Sequence, residues 1–339
     1  MGVHFINPGA GYAHLVSMFV WAIAKHLPPE VEVSVGAAAD PLRFNVHFFR
    51  EETDVFGRPR ECCDLYISHG ILQKVLGTTV ERLSQFDYIG VPGPMAADCL
   101  AARGVERAKM VTVGHPGLDE AFRWHQAFAS DPALKEFYGQ HVLRDARLAA
   151  KNPKPVVLWA PSHSAFIGEY VLPPLYFSKA LDAAHEIVRV GHPAVSGRSS
   201  VLARDVLHFA KACIGDVSGT VFEAWALGVP VVFPDWLIGE FVVAQCGDAP
   251  LGRVYSEGIG RHVQSPEDFP AAVREAVNEG ITEEEKRFID SYLPVELRGS
   301  SGKAAAAFLR RVRRAWVMEK EETDASLQDA DDRSGPQAA

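Results

Sequence analysis

Short apolar runs ending in glycine, serine or proline recur along this chain, with helix-like segments between them. That alternation restricts the fold to the α/β class, because neighbouring parallel strands need crossover connections and a helix is the usual crossover. In the first part the runs are Val3–Ile6, Val31–Ala37, Cys63–Ser68, Tyr88–Gly93 and Lys109–Pro116, with helices expected near His14–His26 and Pro94–Arg103. Ala127–Ala150 reads as polar and helical, and the prolines of Ala149–Pro155 break the pattern, which places a domain boundary there. The runs resume at Val156–Ser164, Glu186–Pro193, Ala212–Thr220 and Val229–Trp236. The expectation is two Rossmann-like, doubly wound domains, residues 1–150 and 151–302, facing each other across a cleft. A length of 339 residues suits two cores of about 150 residues each.

Charge narrows the partners. The formal net charge is −9, but Glu319–Ala339 alone carries −5, leaving −4 for the rest. That balance disfavours a broad nucleic-acid surface. The acidic tail reads as disordered, whereas Lys303–Met318 before it is a helix candidate with five basic residues and no acid. This helix, 303–318, is expected to cross back to the first domain and to offer a peripheral contact with a membrane. Five cysteines without a C-x-x-C pair fit a reducing cytosol better than a disulfide framework or zinc site. The apolar stretch Leu15–Ala24 lacks the basic residues that precede a signal sequence.

The densest chemistry lies in Asp216–Trp236, "DVSGTVFEAWALGVPVVFPDW". If a strand ends at Ile214 and a helix begins at Thr220 or Val221, the backbone N–H groups of Ser218, Gly219 and Thr220 gather at a helix N-terminus, where an anion is favoured. The hydroxyls of Ser218 and Thr220 add donors, and Gly219 admits a close ligand. Glu223 is either the acid of a capping box with Thr220 or an acceptor for ribose hydroxyls. His69 and His192 each follow an apolar run, positions from which two domains can present imidazoles to one cleft. His115 in "GHP" is a third such histidine, and "APSHS" adds Ser162 and His163. Gly9 and Gly11 keep the first loop small, either for a ligand or for a tight turn. No nicotinamide fingerprint, P-loop or nucleophile elbow is present, and there is no convincing D-x-D, since "DADD" lies in the tail.

Taken together, "SHGILQK", "VTVGHPGLDEAF", "VVLWAPSHS", "RVGHP" and "DVSGTVFEAWALGVPVVF" resemble the ordered motifs of the CDP-glycerol glycerophosphotransferases, which build teichoic-acid polymers. The likeness spans about Cys63 to Asp235 and extends to the wider GT-B glycosyltransferases. It implies that His69, in the place of the family's W-H-G-T histidine, is the base, although Ser68 and Ile71 replace the Trp and Thr. It implies that His192 meets the donor phosphates, with Arg189 one residue further from it than usual. Asp216, Ser218 and Gly219 fall where the family has D-Y-S-S, while Glu223 is closer to sugar-nucleotide enzymes. The resemblance therefore implies a GT-B transferase without metal or cofactor, using a nucleotide-activated donor such as a UDP-sugar or CDP-glycerol. The acceptor hydroxyl would belong to a glycan, a polyol-phosphate polymer, a protein or a modified DNA base. Two alternatives remain open: a sugar-nucleotide 2-epimerase, and a nucleotide-binding protein without catalysis.

Overall fold

The computed structural model describes residues 2–7, 13–40, 43–48, 63–68, 77–145, 154–160, 181, 184–190 and 202–316. Among them are two parallel sheets. The first contains β1 (Val3–Ile6), β2 (Val33–Gly36), β3 (Phe44–His47), β4 (Cys63–Ile67), β5 (Tyr88–Val91) and β6 (Met110–Thr112), in the spatial order β2-β1-β3-β4-β5-β6. The second contains β7 (Val156–Trp159), β8 (Glu186–Arg189), β9 (Ala210–Ile214), β10 (Val231–Pro234) and β11 (Arg261–Val263), in the order β11-β10-β9-β7-β8. Each is the doubly wound order in which the second strand lies outside the first and the third lies inside it. The winding reverses between β1 and β3 and between β7 and β9, and such reversals open crevices at the carboxyl ends of the strands.

Alternate side chains of a strand face opposite sides, so a strand covered on both faces is apolar at nearly every position. In the second sheet Val157, Trp159, Ala212, Ile214 and Val232 pack with Phe269 and Val273 of the Phe269–Glu279 helix. Leu158, Cys213, Val231 and Phe233 belong instead to a cluster with Trp225, Val242 and Phe288. In the first sheet Val3, Phe5, Phe44, Val46 and Leu65 pack with Val16, Phe19 and Ile23 of the Ala13–Ala24 helix. Ala305, Ala306, Phe308, Leu309 and Val312 join that same cluster, so the helix over 301–316 lies against the first sheet. Its outer face carries exposed Lys303, Arg310, Arg311 and Arg314. No helix among the described residues is long and apolar enough to cross a membrane.

Two strands differ from the sequence expectation. β3 was obscured by Asn45 and His47, which interrupt its apolar pattern. Both are fully buried with polar partners: the Asn45 carboxamide oxygen accepts from Asp40 N at 2.8 Å, and His47 Nε2 faces Asp64 Oδ1 at 2.7 Å. β11 has only three residues and a polar start. The helical stretch expected from Ala127 is two helices, Asp119–Ser130 and Pro132–Asp145, separated at Asp131 just before a proline.

These two helices meet the end of the Ala203–Leu207 helix through an aromatic cluster. The His208 ring stands edge-on to Phe128 at 5.3 Å and lies 6.1 Å from the His125 ring. Burial pushes the His208 imidazole down to about 4, with His125 and Lys135 adding to the shift. Its folded value lies below its unfolded value of 6.5, so between these limits the unfolded chain binds more protons. The contribution of neutral His208 to stability is complete above pH 6.5 and is lost as pH falls toward 4. Urea midpoints measured across this range should fall with pH, and His208→Phe should flatten the profile. An unchanged profile in the variant would assign the acid sensitivity to other groups.

Candidate functional site

At the β7/β9 reversal, Trp159 pairs with Arg189 on one side and Ile214 on the other. The Arg189 guanidinium lies over the Trp159 ring, 5.0 Å from its centroid. The chain leaves β9 through Gly215 and buried Asp216, whose Oδ1 accepts from Ser218 N at 2.7 Å. This carboxylate-closed turn is what a short acid favours at the end of a strand. In this turn the Ser218 N–H is bonded to Asp216.

The helix Thr220–Ala226 follows, with Gly219 as its N-cap and no side-chain capping bond. Thr220 is therefore the first helical residue, and the capping box of Thr220 with Glu223 does not form. Val221, Phe222, Ala224, Trp225 and Ala226 are buried, leaving Glu223 as the partly exposed position inside the helix. The buried face is pinned by Phe222 against Tyr292, with ring centroids 4.6 Å apart, and by Trp225 Nε1, which donates to Glu285 Oε1 at 2.8 Å. Glu223 Oε1 lies 3.9 Å from Arg204 Nη2. Ser218, Gly219 and Thr220 are all partly exposed beside it.

Further along the same sheet edge, Asp235 Oδ1 faces His262 Nδ1 at 2.9 Å and its Oδ2 accepts from Gln264 Nε2 at 2.8 Å. Burial pushes the Tyr255 phenol up, and the charges of Asp216 and Asp235 add to it, so this hydroxyl keeps its proton.

His115 occupies a packing position. It is buried at 4% exposure, its ring stands edge-on to Phe19 at 5.3 Å, and its backbone N–H donates to Ser301 Oγ at 2.9 Å. Four residues on, buried Asp119 accepts from Ser301 N at 2.9 Å and Gly302 N at 2.7 Å, which caps the 301–316 helix. Burial pushes the Asp119 carboxyl up, and these two N–H bonds oppose the shift. The "GHPGLD" segment thus anchors that helix to the first sheet. His69, His192, Ser162, His163, Gly9 and Gly11 lie outside the described residues; in chain order they follow β4, β8, β7 and β1.

Arg204 and Glu285 belonged to no expected motif, and Asp119 lies in the "VTVGHPGLDEAF" stretch without having been singled out. Glu285 alone had a local signal, the Thr282-x-x-Glu285 capping pattern, which forms with both of its bonds.

No family model matches the chain, and no curated protein matches it. Its fold is that of solved structures. The wall teichoic acid polymerase TagF is 13% identical with a TM-score of 0.65, over 93% of this chain and 90% of that one. A UDP-N-acetylglucosamine 2-epimerase assigned in Listeria monocytogenes is 14% identical with a TM-score of 0.54, over 95% of this chain and 97% of that one. The UDP-GlcNAc 2-epimerase of Neisseria meningitidis, bound to UDP-GlcNAc, is 12% identical with a TM-score of 0.53, over 92% of this chain and all of that one. The two sheets with their interleaved helices match the GT-B architecture of these proteins.

Proposed function

We propose that the chain is a GT-B transferase that takes a glycosyl or glycerophosphate group from a nucleotide-activated donor to an acceptor hydroxyl. The observation that carries this is the Asp216–Glu223 segment. At the strand reversal of the second sheet it presents the start of a helix, two hydroxyls and one partly exposed carboxylate on an otherwise buried helix. The first N–H groups of a helix have no intrahelical acceptor, and together with the Ser218 and Thr220 hydroxyls they suit a diphosphate. Asp216 is negative and already closes its own turn, so the phosphates belong toward Thr220. Glu223, one turn inside, suits the ribose hydroxyls. Solved neighbours that carry CDPG and UDP-GlcNAc support a donor of this class.

In this proposal His69 is the general base on the acceptor hydroxyl and His192 meets the donor phosphates. The two substitutions should then fail differently. His69→Ala is expected to lower turnover by roughly 10²- to 10⁴-fold with donor affinity nearly intact, because base catalysis acts in the transition state. His192→Ala should weaken donor binding as well. Full activity in both variants would remove the two-histidine mechanism.

The full-length likeness to the epimerases favours a second reading, a 2-epimerase. Incubation with UDP-GlcNAc and no acceptor separates the two. A sugar inverted at C2, either still joined to UDP or released with UDP by water, appears only if the epimerase reading holds.

A further inference from the structure

The Arg204 guanidinium touches three separate elements. Nη1 donates to the Gly117 carbonyl at 2.6 Å and lies 3.9 Å from Met18 Sδ on the Ala13–Ala24 helix, while Nη2 is 3.9 Å from Glu223. Both charged side chains of the Arg204–Glu223 pair are 15% exposed, so solvent screens them less than a surface pair. Gly117 sits in the Pro116–Leu118 turn, flanked by the two residues that hold the base of the 301–316 helix, His115 and Asp119. A line of contacts therefore runs from Glu223 beside the second sheet, through Arg204, to the first sheet and its crossing helix.

We propose that Arg204 is a positioning residue that couples nucleotide occupancy at Glu223 to the Gly117 turn and the base of the 301–316 helix. This rests on the donor reading of Glu223. At 3.9 Å the ion pair leaves the acceptor lone pairs of the carboxylate to ribose hydroxyls, while the guanidinium fixes the carboxylate's charge and direction. A planar guanidinium can face a carboxylate and a carbonyl at once, whereas the point charge of lysine cannot hold both. Ligand hydroxyls that fix the Glu223 rotamer also fix Arg204, and hence the Gly117 carbonyl. Coupling is reciprocal, so an ordered turn tightens nucleotide binding by the same factor that nucleotide orders the turn.

Amide hydrogen exchange of the full chain with and without UDP or CDP tests this. In the parent protein, nucleotide should protect residues 218–226 and also slow the amides of His115, Gly117 and Leu118 by about tenfold. Arg204→Gln and Arg204→Lys should keep the protection at 218–226, lose it at 115–118, and weaken nucleotide binding about fivefold. The lysine variant retains the charge and covers the case in which the glutamine variant fails to fold. Protection at 115–118 that persists in the folded variants overturns the proposal. So does a parent protein that is protected at 218–226 alone. If nucleotide protects neither segment, the donor reading falls and this inference falls with it.

Discussion

Glu285→Ala is expected to lower the stability of the protein by about 3–5 kcal/mol, the cost of breaking a buried charged network at one partner. Glu285 is fully buried in the second half. Its Oε1 accepts from Trp225 Nε1 at 2.8 Å and Val231 N at 3.3 Å, and its Oε2 accepts from Thr282 N at 2.7 Å. Arg261 Nη1 stands 3.7 Å away and supplies the opposite charge. Alanine would orphan two buried N–H donors, Trp225 Nε1 and Val231 N, and the partly buried Thr282 N, and would leave Arg261 with Glu279 as its remaining carboxylate, 3.1 Å from Nη2. Glu285→Gln keeps one carbonyl acceptor and should lose less. Urea unfolding followed by tryptophan fluorescence reads both variants. Losses within about 0.5 kcal/mol of the parent would show that the network carries little of the fold. The consequence for the site is direct, because Trp225 sits on the helix that bears Glu223.

A second large effect is expected where the 301–316 helix meets β6. Gly114 has φ +76°, and a Cβ placed on it would overlap Ser301 Oγ, the atom that accepts from His115 N. Gly114→Val combines left-handed strain with a steric clash, together about 2–5 kcal/mol. Gly104 separates the two contributions, because its φ is +92° but nothing lies within 4 Å of its Cβ position. Gly104→Val should therefore cost only the strain, about 1–2 kcal/mol. Equal losses in the two variants would mean that the tight approach at Ser301 contributes nothing.

Most strands and the long helices were legible because their patterning is local. Nine of the strands coincide with apolar runs, and the sheet class follows from their alternation with helices. β3 was hidden because Asn45 and His47 break its apolar pattern, and the partner of His47, Asp64, lies seventeen residues on, where no local pattern announces it. The site was legible only in part. The hydroxyls, glycine and acid of Asp216–Glu223 do stand together at a strand reversal. That Asp216 consumes the Ser218 N–H depends on the turn closing back on itself. Arg204 and Asp119 act across long separations: Arg204 reaches Gly117, and Asp119 caps residues 301 and 302. Arg204 lies in no motif, and the motif that contains Asp119 does not announce partners more than 180 residues away. His115 looked like a cleft residue because strand-end histidines often are, yet the crossing helix lies over it.

Calorimetric titration of UDP and CDP, beside uridine and cytidine, into the parent protein and Glu223→Gln tests the donor assignment most directly. A charge-assisted hydrogen bond contributes about 1.5–3 kcal/mol, so one of the diphosphates should bind at least about tenfold more tightly than its nucleoside. Glu223→Gln should weaken that diphosphate while leaving the urea midpoint near the parent value. Equal affinity for nucleoside and diphosphate, or a diphosphate affinity unchanged by Glu223→Gln, would contradict the placement of a nucleotide donor at Ser218–Glu223.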